Sequence, residues 1–532
     1  MLLARQPIRR SRVGPTRRGD AHLVEPVHRS LWIETTPDTA YPPLKGEVEV
    51  DVVVVGAGIT GVTTAWLLKR EGQRVALVEM HRVAEGATGY TTAKLTVGHS
   101  LIYADLAKGH GEEVAGAYAA SNQWAIERLE ELVSRNRIDC DWERTSNYVF
   151  TEDERRLSDL QDELEAARRA GVSAELTTDT DLPFPVLGAI RVDNQAQFHP
   201  RKFLQGLAAK IGGDGSHVFE QTRVEDVRSG DWCEVLTREG TLRARHIVLA
   251  THLPFLDRGL FFAKAHPQKS YAIAAQIEQS QAPFGMYINA EQPTRSIRST
   301  PGPNGSRLLV IGGEGHKPGR DDDTQRRHEA LEGFLSERFG PREVEHRWST
   351  HDYVPLDRLP YIGRLRRRDE RLLVATGFAK WGLTKGVIAA AILTDAILGR
   401  DNPWAGVYNA NRLSLKSSTV RKFLIENAKV GSWFIGDRIR LRVGQDDIDA
   451  LKPGDGTIAW VGGRHVAVHR DEKGQLHALS ARCTHLGCLV GWNRADETWE
   501  CPCHGSLFGA DGTLLQGPAT EPLSPLNSPG AP

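Results

Sequence analysis

Cys483, Cys488, Cys501 and Cys503 fall within 21 residues of a 532-residue chain, whereas the 482 residues before them hold only Cys140 and Cys233. Two histidines are interleaved with the four. The order is Cys483-Thr-His485-Leu-Gly-Cys488, then 12 intervening residues, then Cys501-Pro-Cys503-His504-Gly-Ser506. Thiolate and imidazole are the usual ligands of borderline and soft metals, and cysteine clustered beside histidine points to a metal centre before a disulfide framework. The Cys-x-His and Cys-x-x-His halves supply two thiolates and two imidazoles, a set that zinc would accept. Two further cysteines at fixed offsets in both loops would be superfluous for zinc.

A second constellation sits near the other end. Gly56-Ala-Gly58-Ile-Thr-Gly61 follows the apolar run Val52–Val55 and opens an apolar-periodic segment, and Glu79 closes the next strand 18 residues after Gly61. Gly56 permits a tight turn, Gly58 lets backbone approach a pyrophosphate, and Gly61 allows close helix–strand packing. A helix N-terminus there offers N–H groups and a positive dipole end to phosphate. Glu79 is expected to accept hydrogen bonds from ribose hydroxyls, and its charge disfavours a 2′-phosphate. No second complete fingerprint exists. Ile311-Gly-Gly-Glu-Gly315 lacks the third glycine and runs into the charged stretch GRDDDTQRR. FAD is long enough to need a second, distant contact, which the late turn at Thr376-Gly377 and Trp381-Gly382 could supply.

The elements that must position these groups follow from apolar pattern and punctuation. Strand, glycine turn, helix and strand run from Val48 to Glu79. Acid-rich helices are expected near 112–134 and 152–170. Strands at 146–150, 190–198, 217–227, 232–249 and 270–277 suggest an antiparallel substrate layer inserted into an α/β core. A strand–glycine–helix unit returns at 371–399. Residues 400–432 read as a linker rich in Asn and Ser, and short strands with hairpin turns at DEKG and ADG follow from Asp437. The expected divisions are 1–28, 29–410, 411–440 and 441–532.

With these motifs in view, residues 50–400 resemble the D-amino-acid oxidase and glycine oxidase superfamily. The resemblance is carried by VVVVGAGITG with Glu79, Gly86-Ala-Thr88-Gly-Tyr-Thr-Thr-Ala-Lys94, Gln195–Pro200, Asp357-Arg-Leu-Pro360-Tyr-Ile-Gly363 and ATGFAKWG. It implies a Rossmann-type α/β FAD-binding domain with an inserted mixed α+β substrate domain. Thr88, Thr92 and Ala93 would pass near the flavin, and Gly377, Trp381 and Gly382 would lie over its isoalloxazine end. No cysteine lies between 234 and 482, so a thioether tether from that stretch is excluded and FAD is expected to bind noncovalently. The catalytic base is unknown. His99, His199, His351 and Lys380 sit in plausible segments, each more often structural than catalytic.

Residues 450–525 closely resemble a Rieske domain, a small all-β fold holding a 2Fe–2S cluster. The resemblance implies Cys483, His485, Cys501 and His504 as ligands, a Cys488–Cys503 disulfide, a hydroxyl from Ser506 to a bridging sulfide, and a covering loop at Gly517-Pro518-Ala519. The extra cysteine pair is that of the electron-transfer type. Phe508 stands where high-potential members often carry Tyr, so the expected potential is mid-range within roughly −150 to +300 mV. The order flavin half, linker, Rieske half resembles a bacterial family of FAD oxidoreductases with C-terminal Rieske domains.

Lys plus Arg is 67 and Asp plus Glu is 68, a formal net charge of −1 that removes any global electrostatic case for nucleic acid. Val387–Leu398 falls well short of the ~20 apolar residues of a membrane span. The Arg-rich first nineteen residues lack an apolar export core, so 1–28 is expected to be a disordered leader or an early start, and the default location is cytoplasmic. An apolar run at Phe423–Phe434 is expected to dock within the chain. The leading function is oxidation of a small amine or amino-acid-like donor, with electrons relayed through the cluster to a protein or quinone acceptor. The alternative is a flavin oxidase whose Rieske domain is a structural or redox-sensing module.

Overall fold

The computed structural model describes residues 29–321, 323–412, 425 and 445–526. The expected leader, the linker beyond 412 apart from 425, and almost all of the Phe423–Phe434 run lie outside the described residues, whereas 400–412, also read as linker, pack into the flavin half with Tyr408 and Ala410 buried.

Val52–Val55 and Val75–Val78 are buried at every position, as a parallel strand covered on both faces must be. They belong to a six-stranded sheet ordered Tyr361–Arg364, Leu372–Thr376, His246–Leu249, Val52–Val55, Val75–Val78, His217–Phe219. All pairs are parallel except the first, which is antiparallel. Helices Ile59–Arg70 and Gly382–Leu398 pack against each other beside this sheet. Both strand–glycine–helix units of the sequence thus meet in one layer.

Two expectations need correction. Strands His217–Phe219 and His246–Leu249 belong to this nucleotide sheet, not to an antiparallel substrate layer. Between them, Val224–Arg228, Cys233–Thr237 and Gly240–Ala244 join Gly46–Glu49 in a separate four-stranded sheet. Short apolar strands look alike whichever sheet takes them, and only long-range pairing assigns them.

The substrate layer is a nine-stranded mixed sheet built mainly from Glu143–Thr151, Gly188–Gln197, Ala265–Ile277, Met286–Asn289, Arg295–Pro301, Arg307–His316 and Val344–Pro355. Its pairs are antiparallel except Glu143–Thr151 with Met286–Asn289. The C-terminal domain holds a three-stranded sheet, Gly456–Val461 to Leu476–Ser480, and a four-stranded sheet, Gly491–Asn493 to Leu514–Gln516. No helix among the described residues is long and apolar enough to cross a membrane.

Candidate active site and metal centre

The dinucleotide turn is built by close approach. Gly56 adopts φ +101°, and a Cβ there would lie 2.5 Å from the carbonyl oxygen of Ala250. A Cβ on Gly61 would lie 1.7 Å from the carbonyl oxygen of Gly56, so helix Ile59–Arg70 starts directly on the turn. Thr88 Oγ1 accepts the Ile59 N–H at 3.1 Å. Glu79 accepts the Ala57 N–H through Oε2 at 2.7 Å and the His81 N–H through Oε1 at 3.0 Å. A cavity of about 530 Å³ opens here, lined by Gly56, Gly58, Glu79, Thr88, Thr92, Trp381 and Gly382 of the expected residues. Gly61, Ala93 and Gly377 are set back from its surface. Gly61 is spent on helix packing, the Ala93 carbonyl accepts from Arg298, and Gly377 turns at φ +77° against Pro355. A glycine cradle that any Cβ would fill, leading into one cavity, fits a dinucleotide cofactor.

The substrate sheet forms the cavity's other side. Lys94 Nζ donates to the Tyr287 carbonyl at 3.0 Å and to Ser296 Oγ at 2.6 Å, 5.6 Å from the Trp381 ring centre. Burial pushes this amine down to about 7, with Arg298 adding to the shift. Lys380 Nζ donates to Ser270 Oγ at 2.8 Å, and burial lowers it to about 8 despite nearby Asp352. Asp352 accepts from His252 Nε2 at 2.9 Å and from the Lys380 N–H. Burial would raise that carboxyl, but these bonds hold it below its usual value. Neither the Lys94 signal nor the Asp352–His252 pair was found from sequence, because each depends on a contact across strands.

The four sequence candidates for catalysis separate. His351 lines the cavity and burial holds it neutral, at about 3; Lys380 lines it too. His99 lies behind the wall, stacked on Trp381 at 4.3 Å and bonded to the Tyr118 hydroxyl at 2.5 Å. His199 caps helix Pro200–Ala208, accepting the Lys202 N–H, and takes no part in the cavity.

In the C-terminal domain, the two loops carrying the cysteines are joined by a Cys488–Cys503 disulfide, leaving Cys483 and Cys501 as buried free thiols. Short turns shape each loop: Gly487 N–H to the Cys483 carbonyl and Gly505 N–H to the Cys501 carbonyl, both 2.9 Å. The Nδ1 atoms of His485 and His504 face each other at 3.3 Å. Two thiols and two facing ring nitrogens are a donor set that fits a 2Fe–2S cluster. Ser506 Oγ accepts the Ala519 N–H at 3.0 Å, tying the covering loop to the second ligand loop.

The opposite edge of the imidazole pair is turned onto the flavin half. His485 Nε2 donates to Asp257 Oδ1 at 2.8 Å, which fixes the tautomer that leaves Nδ1 for a metal. Phe262 packs edge-on against both imidazoles, at 5.9 and 5.1 Å between ring centres. The Tyr353 hydroxyl donates to the His504 carbonyl at 2.9 Å. Side-chain exposure of His485 is only 5%.

The sequence profile of the FAD dependent oxidoreductase family matches residues 51–396, and that of the Rieske [2Fe-2S] domain matches residues 444–527. This chain belongs to the FAD dependent oxidoreductase family. As a member with a C-terminal Rieske domain, it is an oxidoreductase whose cofactors are FAD and a 2Fe–2S cluster. YhfW of Bacillus subtilis (strain 168), named as a Rieske 2Fe-2S iron-sulfur protein, is 34% identical over 508 residues, covering 95% of this chain and 99% of its own. The cytochrome b6-f complex iron-sulfur subunit of Microcystis aeruginosa is 45% identical over 60 residues, 11% of this chain and 32% of that one. Glycine oxidase from Geobacillus kaustophilus shares the fold of the flavin half, with a TM-score of 0.58 and 19% identity over 69% of this chain and 100% of its own.

One further set of residues joins the two halves of this oxidoreductase. Lys269, on the substrate sheet, is ion-paired with both Asp496 and Glu500 of the Rieske domain, all three buried or nearly so. Glu500 also accepts the Asn493 amide at 2.6 Å and the Gly319 N–H at 2.9 Å. Sequence reasoning missed this cluster because Lys269 lies more than 200 residues from both carboxylates and each residue resembles an ordinary surface charge.

Proposed function

We propose that the protein oxidises a small amine- or amino-acid-like donor at the flavin and passes the electrons through the Rieske cluster to an external protein or quinone acceptor. One observation carries this reading: the imidazole edge of the cluster site faces the flavin half, against Asp257, Phe262 and Tyr353. That orientation puts the ligand imidazoles, and not the outer surface of the Rieske domain, next to the half that holds the flavin.

In this reading Gly56, Gly58 and Gly61 shape the FAD turn and Glu79 takes the ribose. Thr88, Thr92, Trp381 and Gly382 complete the flavin's surroundings, with Ala93 and Gly377 holding the wall from behind. Cys483, Cys501, His485 and His504 hold the cluster, and the Cys488–Cys503 bond pins their loops. When bound, FAD accepts a two-electron hydride and the cluster carries single electrons. Lys94 and Lys380 offer ammonium groups to a donor carboxylate, consistent with the fold shared with a glycine oxidase. His351, held neutral, keeps charge away from the wall shared with the Rieske domain. A cytoplasmic setting belongs to the same reading.

The first experiment is a visible and EPR spectrum of anaerobically purified protein, before and after dithionite, with flavin bands and a rhombic Rieske signal expected. The deciding variant is Cys483→Ser. Amino-acid donors should still bleach its flavin, while delivery of electrons to a protein or quinone acceptor collapses. Undiminished delivery would instead favour the structural or redox-sensing module.

A further inference from the structure

The cavity at the dinucleotide turn is not closed by the flavin half alone. Leu514, Leu515, Gln516 and Gly517 of the Rieske domain line it together with Gly56, Gly58 and Glu79, and Ala519 and Thr520 extend the same face. These residues are anchored at two places on the opposing half. The Leu515 carbonyl bonds His81 Nε2 at 2.9 Å, and His81 is the residue whose N–H is held by the ribose-side carboxylate of Glu79. The Gln516 amide donates to His252 Nδ1 at 3.0 Å and to His351 Nε2 at 3.1 Å, both cavity residues on the substrate side.

We propose that residues 514–520 of the Rieske domain form one wall of the FAD site, so that FAD is retained by the docked pair of halves and released when they part. The wall offers Leu515 and the backbone of Gly517 to the cofactor, while Leu514 packs into the Rieske core behind them. The anchoring bonds come from cavity residues themselves, so separation of the halves would open the cofactor site and disturb the Glu79–His81 strand end together. A ligand that touches both halves must favour their docking to the same extent that docking favours the ligand. This inference rests on the FAD assignment and is independent of electron relay to an acceptor.

The test uses full-length holoprotein carrying Leu515→Arg or Gln516→Ala. FAD release is followed by its fluorescence after dilution, with the Rieske EPR signal and far-UV circular dichroism checking that both halves stay folded. Leu515→Arg drives a charge into the wall, and Gln516→Ala deletes two anchoring bonds without adding bulk. Gln516→Ala should release FAD about 30-fold faster than wild type, since two bonds of about 1 kcal/mol each are lost and about 1.4 kcal/mol is tenfold, and Leu515→Arg faster still. A second readout needs no variant: stripping FAD should raise amide exchange across 514–520. Release at the wild-type rate from well-folded Gln516→Ala overturns the proposal, as does exchange at 514–520 that ignores FAD.

Discussion

Lys94 brings an ammonium group to a place where its hydrogen bonds go to a carbonyl and a hydroxyl rather than a carboxylate. Its proton is therefore lost as pH rises through about 7, far below the usual lysine range. The cavity carries that charge below this pH and lacks it above. For a donor with a carboxylate, kcat/KM should fall as pH rises through that point, because this ratio reports the free enzyme's groups. Lys94→Gln should flatten that limb in flavin-bleaching assays at pH 6 to 9, while a wild-type-like profile would remove Lys94 from donor binding. Phe508 is a second residue-scale case. It is fully buried in the core that holds Cys483 and Cys501. Giving it a hydroxyl in Phe508→Tyr should raise the cluster's midpoint potential by about 50 mV, the one-electron equivalent of a hydrogen bond near 1 kcal/mol. Voltammetry measures this directly, and an unchanged or lower potential contradicts it. At this scale the sequence spoke clearly wherever spacing is short. Cys483, His485, Cys501 and His504 stand out because ligands to one centre sit on two tight loops. Asp257 did not, since its contact with His485 spans 228 positions of chain.

Elements carry the next layer. The glycine turn was readable because Gly56 and Gly61 answer to each other within six residues, through a carbonyl that tolerates no Cβ. The strands between 217 and 249 were not, because an apolar run of three to five residues says nothing of its neighbour. Their assignment depends on Val52–Val55, which His246–Leu249 joins in parallel register after nearly two hundred residues. The Lys269 cluster shows the same blindness and invites a prediction. Removing the cation in Lys269→Met strands two buried carboxylates, for which the expected loss is about 3–5 kcal/mol of stability. Denaturant unfolding should report it. A loss under 1 kcal/mol would mean that the carboxylates find water or that Asn493 suffices. Gly505 belongs here as well, since at φ +73° a Cβ on it would lie 2.9 Å from both Pro267 Cβ and the Tyr353 hydroxyl.

At the scale of the molecule, the two halves share buried charge, hydrogen bonds and ring contacts on one face. They should lose structure together. Calorimetry of the holoprotein is expected to give one main transition, and removing the cluster with a chelator under reducing conditions should lower the temperature at which the flavin half melts. Two transitions, with the flavin half indifferent to the cluster, would describe independent beads on a string. The overall division into an FAD half and a Rieske half was legible from motifs at both ends, but their mutual orientation was not, since it rests on contacts that no local pattern encodes.

The inward-facing imidazoles have a consequence for any partner to which the proposed relay would hand electrons. A partner that approaches the cluster by that edge meets a rival already in place, namely Asp257 and Phe262, belonging to the same chain. A rival carried on the same chain competes as an intramolecular partner, whatever its bulk concentration. Apparent affinity for such a partner falls in proportion to the fraction of molecules in which the edge is uncovered. Occupancy by the partner and closure of the chain on itself are then two outcomes of one competition, decided as much by Asp257 as by the partner's own surface.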